Sequence, residues 1–191
     1  SSNSGYQTDV ERWLDNWTDK SGNGGIKYTE SGLASLGEWG VLRNSSTTAM
    51  LAGIYSDTVN DGDGKYSNFV KDQVNYILGA NPNKFSYMVG FGENYPQQPH
   101  HQTAQGRDGW ENFRDGQPNN HIIYGAIVGG PRLANDYDYQ DDRTNYVMNE
   151  VALDYNAGLT GAMAYMYDKF GGEPLSDAEL NNLPGIAVEN V

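Results

Sequence analysis

The decapeptide Asn149-Glu150-Val151-Ala152-Leu153-Asp154-Tyr155-Asn156-Ala157-Gly158 places an ionisable carboxylate, a tyrosine and two amides ahead of an apolar run rich in Ala and Gly. A helix that begins on such a run buries its own start, so Glu150 falls near the rim of a core. A carboxyl there is partly desolvated, which suits it to proton donation. The structural alternative is a solvated helix-start residue favoured by the helix dipole. The decapeptide alone does not choose between them.

The elements around it are helices and loops. Tyr6, Val10, Trp13, Leu14 and Trp17 recur at the helical period and predict a helix over residues 6–17. A second helix is expected from about Arg43 to Ser56, with Ala49, Ala52 and Gly53 on a closely packing face. A third runs from Tyr66 to Leu78 and stops at Gly79-Ala80-Asn81-Pro82. The last runs from about Asn156 to Phe170 and is ended by Gly171-Gly172. Residues 81–143 are rich in Gly, Pro, Asn and Tyr, and their apolar run Ile122–Val128 predicts the start of a further helix. A non-periodic stretch this long within a compact protein usually carries function. No strand ladder is evident, so the fold class expected is all-α with loop-built chemistry.

Composition narrows the partners. The 191 residues carry a formal charge of -13, which argues against a nucleic-acid backbone as partner. No apolar run is long enough to span a membrane. Cysteine is absent, which rules out disulfides, Cys-based metal sites and a cysteine nucleophile. Aromatics make up 12%, including 14 Tyr and 4 Trp, a mix that suits flat, amphipathic contact surfaces or an ordinary Tyr-rich core. The turn VNDGDG at 59–64 invites a calcium reading, but with Asp57 as first ligand the third position is Val59 and the twelfth is Asn68. An EF-hand needs oxygen ligands at those places, so a plain interhelical loop is expected.

Four loop stretches belong together: LGANPNKFSYMVGFG (78–92), PHHQTAQG (99–106), IYGAIVGGP (123–131) and DDRTNYVMNEVALDYNAG (141–158). In this order and spacing they resemble the C-terminal part of glycoside hydrolase family 9, the family of many cellulases. The runs Ser31-Gly32-Leu33 and Leu36-Gly37-Glu38-Trp39-Gly40 are similar to that family's upstream segment. The resemblance covers residues 1–170 and leaves 171–191 as a tail or the start of a linker. It implies the C-terminal portion of an (α/α)6 barrel and inverting hydrolysis of β-1,4-glucosidic bonds. Such inversion needs a carboxylic acid and, roughly 6.5–9.5 Å away, a carboxylate that activates water.

By the resemblance, Glu150 is the general acid, Tyr155 borders the reacting sugar, His100 faces the cleft floor and Trp39 stacks on a glucose ring. Tyr155 as a core tyrosine, and Trp39 filling the barrel between Leu36 and Leu42, are the structural alternatives. A neutral His100 imidazole is expected to donate to a sugar hydroxyl, and His101 to make a structural hydrogen bond; adjacent histidines without cysteine do not form a zinc site. Two departures stand out. Gln102 replaces the family's usual Arg and Gln105 its frequent His, exchanging a cationic fork for a neutral amide. Arg107 is the candidate to compensate, Trp110 and Phe113 are weaker substrate-binding candidates, and Asp141, Asp142 and Arg143 are expected to form an ion pair steadying the loop before Glu150.

The family's water-activating aspartates lie upstream of everything present, as does the calcium loop of many members. The expectation is therefore a chain that supplies the acid, holds no cofactor or metal, and acts with the N-terminal part of the same enzyme, which holds the base. A carbohydrate-binding module is a further candidate partner, and the polymeric substrate implies secretion. The competing functions are a non-catalytic glucan-binding fragment and a related barrel acting on another sugar polymer.

Overall fold

The computed structural model describes residues 3–60 and 64–184. Three long helices pack together: α1 (Asn3–Thr18), α2 (Val41–Tyr55) and α3 (Lys65–Ile77), with α7 (Leu153–Phe170) returning late in the chain to lie along α2. Four short helices punctuate the loops: α4 (Gln102–Gln105), α5 (Trp110–Phe113), α6 (Tyr146–Asn149) and α8 (Asp177–Asn181). The expected all-α class holds. The described strands are two-residue segments, β1 (Lys27–Tyr28) and β2 (Ala34–Ser35), paired antiparallel with Tyr28 opposite Ala34.

The pairing of α2 with α7 follows from small residues. A Cβ at Gly158 would lie 2.5 Å from the Cα of Thr47, so the two backbones approach as closely as they do only because position 158 has no side chain. Ala49, Ala52, Leu159 and Ala162 close this seam and are fully buried. On its other side α2 meets α3, whose Phe69, Val70, Val74 and Ile77 face inward at the expected period. The α3 stop is built by Asn81, whose amide donates to the Tyr76 carbonyl at 2.9 Å and whose oxygen accepts from Phe85 N at 3.2 Å.

Element boundaries differ from expectation in instructive places. Helix α2 starts at Val41 and continues past Tyr55 as a π-helical segment, Ser56–Asn60, running into the expected turn at 59–64; residues 61–63 of that turn lie outside the described residues. Helix α7 starts at Leu153, three residues early. Ile122–Val128 is not helical. It turns at 123–126 and then runs beside residues 87–89 through an antiparallel bridge of Ile127 to Met88, with Val89 N donating to the Ala126 carbonyl at 2.8 Å and Val128 N to Tyr87 at 3.2 Å. Its β-branched residues and the following Gly129-Gly130 favour that state. The side chain of Asn156 ties the strip to α7, donating to the Gly125 carbonyl at 2.6 Å and accepting from Ile127 N at 3.1 Å. In the tail, Ser176 and Glu179 form a reciprocal capping box that starts α8.

Large apolar side chains remain exposed on several elements: Leu153 is 93% exposed, Tyr6 76% and Trp110 70%. A surface with so many uncovered apolar residues is unusual for a self-contained monomer. No described helix is long and apolar enough to cross a membrane.

Candidate active site

Glu150 does not sit on the long helix. It follows the single turn α6 in extended conformation (φ -60°, ψ 140°), and its N–H closes that turn on the Tyr146 carbonyl at 3.0 Å. The chain then enters α7, so the carboxylate projects from the break between two helices. A short parallel bridge pairs Glu150 with His100, and His100 N donates to the Asn149 carbonyl at 2.8 Å. The two stretches singled out from sequence are thus joined through their backbones.

The carboxylate is held through one oxygen. Oε2 accepts from the Trp39 indole Nε1–H at 2.8 Å and from the Tyr155 hydroxyl at 3.1 Å, while Oε1 takes no hydrogen bond from the described residues. Two donors on Oε2 fix the plane of the carboxyl and leave Oε1 available to exchange a proton. Trp39 is 49% exposed and lies 5.0 Å from the Tyr146 ring, so it does not fill the core between Leu36 and Leu42. Its remaining surface suits stacking on a sugar face.

Tyr155 is only 2% exposed. The core role expected from sequence is met, since the ring is buried, and its hydroxyl reaches Glu150. Burial first, and then the hydrogen bond to Glu150, push its pKa up to about 12, so the hydroxyl stays a donor across the neutral range. Gly40, at φ 63°, is required beside it, since a Cβ there would fall 2.5 Å from the Tyr155 hydroxyl. Arg43, from the first turn of α2, stacks 5.1 Å over the Tyr155 ring and pairs with Asp154 at 3.2 Å. Neither Arg43 nor Tyr146 was expected at the site; the spacing Trp39-x-x-x-Arg43 across a helix start was the available signal.

His100 corrects one expectation. Its Nδ1 lies 2.6 Å from the Arg143 carbonyl, which can only accept, so Nδ1 carries the proton. In the neutral ring Nε2 is then an acceptor, not the donor expected from sequence. The ring stands edge-on to Phe113 at 5.4 Å and to Tyr146 at 5.9 Å. His101 has the opposite tautomer, because its Nδ1 accepts from Ala104 N at 3.0 Å as the cap of α4. That is the structural hydrogen bond expected of it.

The loop charges are also redistributed. Arg143 is 1% exposed and pairs with Asp115 at 3.4 Å, not with its sequence neighbours. It also donates to Asn119 Oδ1 at 2.7 Å and to the Phe113 carbonyl at 2.8 Å. A buried guanidinium needs several acceptors, and the 113–119 loop supplies more of them than adjacent aspartates can reach. Asp141 instead accepts from the backbone N–H groups of Gln97 and Gln98 at 2.7 and 3.0 Å, fixing the loop that leads into His100; its carboxyl is raised by burial. Asp142 caps the turn at Thr144.

Arg107 does not stand in for the missing arginine. Its guanidinium binds Asn120 at 2.8 Å, Asp115 at 3.1 Å and the Pro118 carbonyl at 3.2 Å, all within its own loop. Gln105 is fully buried and donates to the Asn112 carbonyl at 3.0 Å, whereas Gln102 is exposed on α4. Of Phe113 and Trp110, the first packs beneath His100 and the second stands out from the loop. Among the described residues no group of three His, Asp or Glu could hold a metal ion. Beside the site, an apolar cavity of about 620 Å³ is lined by His101, Tyr124 and Val151–Leu153, and does not include Glu150.

Comparison with known proteins accounts for this arrangement. A family model for Glycosyl hydrolase family 9 matches residues 1–163. The chain is 45% identical over 174 residues to endoglucanase B of Cellulomonas fimi, covering 90% of this chain and 16% of that protein. It is also 45% identical over 182 residues to endoglucanase A of Bacillus pumilus, covering 92% of this chain and 27% of that one. Among solved structures, endoglucanase CelQ from Clostridium thermocellum, complexed with cellobiose and cellotriose, superposes with a TM-score of 0.79 at 46% identity, over 90% of this chain and 29% of that one. The cellulase Cel9M of C. cellulolyticum in complex with cellobiose gives 0.76 at 36% identity, over 87% and 36%. The chain therefore spans about a third or less of the length of these relatives. Its helices correspond to the C-terminal portion of their (α/α)6 barrel. With the signature loops, the half-buried Glu150 and its two donors all on one face, the chain belongs to glycosyl hydrolase family 9.

Proposed function

We infer that this chain contributes the general acid, Glu150, to inverting hydrolysis of β-1,4-glucosidic bonds in cellulose or a related β-glucan. The observation that carries the reading is the pair of donors on Glu150 Oε2, Trp39 Nε1–H at 2.8 Å and Tyr155 O–H at 3.1 Å. They hold the carboxyl in one orientation, with Oε1 directed to protonate a leaving glycosidic oxygen. Trp39 offers an apolar face for a glucose ring, His100 Nε2 an acceptor for a hydroxyl, and exposed Gln102 a neutral amide.

The water-activating carboxylate belongs to the N-terminal part of the same enzyme, which would also cover the exposed apolar residues of this chain. Because the substrate is polymeric, the reaction takes place outside the cell. The test is reconstitution. This chain alone is expected to hydrolyse no cellulose, and mixing with the N-terminal part to restore turnover. NMR of the first product should show the α-anomer, the outcome of inversion at a β-bond. Turnover by the pure single chain would refute the division of labour, and a β-anomeric first product would refute inversion.

A further inference from the structure

Between the loop that follows α3 and the loop that precedes α6 lies a cavity of about 680 Å³. Its lining does not include Glu150, Trp39, Tyr155 or His100. The floor is an aromatic cluster: Tyr87 and Tyr139 meet edge to face at 5.2 Å, and Phe85 packs on both at 5.5 and 5.3 Å. The Tyr87 hydroxyl lies fully buried beneath this floor.

The outer wall is Tyr137, 69% exposed. The loop presenting it is anchored at several points. Leu133 and Ala134 are both left-handed (φ 57° and 52°), a strained pair for residues with side chains. The loop is clamped by Arg132 to Asp138 at 2.9 Å. Asp136 is anchored in the core by the Tyr76 hydroxyl at 2.6 Å and Ser31 N at 2.9 Å. A strained, anchored loop that displays an exposed aromatic ring is what a stacking platform requires, because little freedom remains to be lost on binding.

The chemistry of the lining selects the ligand. Asn83, Asn94 and Gln97 offer amides at the mouth, and the only charges are the carboxylates of Glu93 and Asp141. Asp141 is already bound to two backbone N–H groups. Among the described residues no cation lines the cavity, so an anionic ligand is disfavoured, and the amides disfavour a purely apolar one. A neutral sugar satisfies both conditions, with C–H faces for Tyr137 and hydroxyls for the amides. We propose that this cavity is a second carbohydrate-binding site, which takes a glucosyl segment of a β-glucan chain against Tyr137. It is linked to the acid by the hydrogen bond from the Tyr139 hydroxyl to Asn149 Oδ1 at 2.6 Å, one residue before Glu150. The choice of glucose as the sugar rests on the function proposed above.

Titration of the complete enzyme, inactivated by Glu150→Gln, with cellopentaose, by calorimetry and by NMR of the tyrosine rings, tests the proposal. Trp39→Ala should leave a binding event that Tyr137→Ala weakens roughly five- to tenfold, and Tyr137→Phe should retain it. Tyr137 is largely exposed, so circular dichroism should be the same for all three variants. If Tyr137→Ala binds as tightly as the parent chain while Trp39→Ala loses affinity, the second site is overturned and the cleft stands. If a tetraalkylammonium ion, and not the sugar, perturbs Tyr137, the cavity is a cation cage and the proposal falls.

Discussion

Tyr155→Phe separates two roles that the site allows for this residue. The substitution removes only the hydroxyl; the ring keeps its buried position beside Gly40 and under Arg43. What is lost is the 3.1 Å donor to Glu150 Oε2, while the shorter Trp39 bond at 2.8 Å remains on the same oxygen. A hydrogen bond to a charged partner contributes about 1.5–3 kcal/mol. With one of two donors retained, the lower end applies, about 1.5 kcal/mol, which corresponds to roughly a tenfold fall in rate. Because Tyr155 is only 2% exposed, it cannot make much contact with the sugar, so the loss should appear in kcat with KM nearly unchanged. The assay is steady-state hydrolysis of a soluble cello-oligosaccharide by the complete enzyme, parent against variant. A rise in KM at constant kcat would mean that the hydroxyl binds sugar directly, and would refute the reasoning that makes Tyr155 a positioning residue.

Other consequences are measurable on stability. Gly158→Ala should destabilise by about 1–3 kcal/mol in urea unfolding, because a Cβ 2.5 Å from Thr47 Cα forces α2 and α7 apart; a gain from helix propensity alone would show that the helices can separate freely. Arg143→Met should cost about 3 kcal/mol, since the buried guanidinium holds Asp115, Asn119 and the Phe113 carbonyl, and limited proteolysis should then cut within 107–119. Burial alone would raise the Asp136 carboxyl, but hydrogen bonds from Thr29, Tyr76 and Ser31 outweigh it and the net shift is downward. Its contribution is thus present above the unfolded value near about pH 4 and is lost as pH falls below it. Asp136→Asn should flatten the acid limb of a stability–pH curve, and an unchanged limb would contradict the assignment.

What sequence could convey followed from the physical range of each interaction. Helical periodicity located α1, α2, α3 and α7 to within a few residues, because amphipathic faces are local patterns. The turn and bridge at 122–128 were missed because an apolar run reads alike as helix or strand until its hydrogen-bond partner, here residues 87–89, is known. Glu150, His100 and Trp39 were identified through family motifs. Their mutual geometry was not legible, because the Trp39–Glu150 bond joins residues 111 positions apart. The tautomer of His100 and the partner of Arg143 depend on carbonyls and carboxylates supplied by other loops, which no local pattern encodes.

The central claim is that Glu150 acts as the acid of a site completed elsewhere. Its most direct test is Glu150→Gln in the reconstituted enzyme, with hydrolysis and cello-oligosaccharide binding measured on the same preparation. The neutral amide can still accept from Trp39 and Tyr155 but has no proton to give. Turnover should therefore be abolished while binding persists with little change; hydrolysis near the parent rate, or loss of binding together with activity, would contradict the assignment.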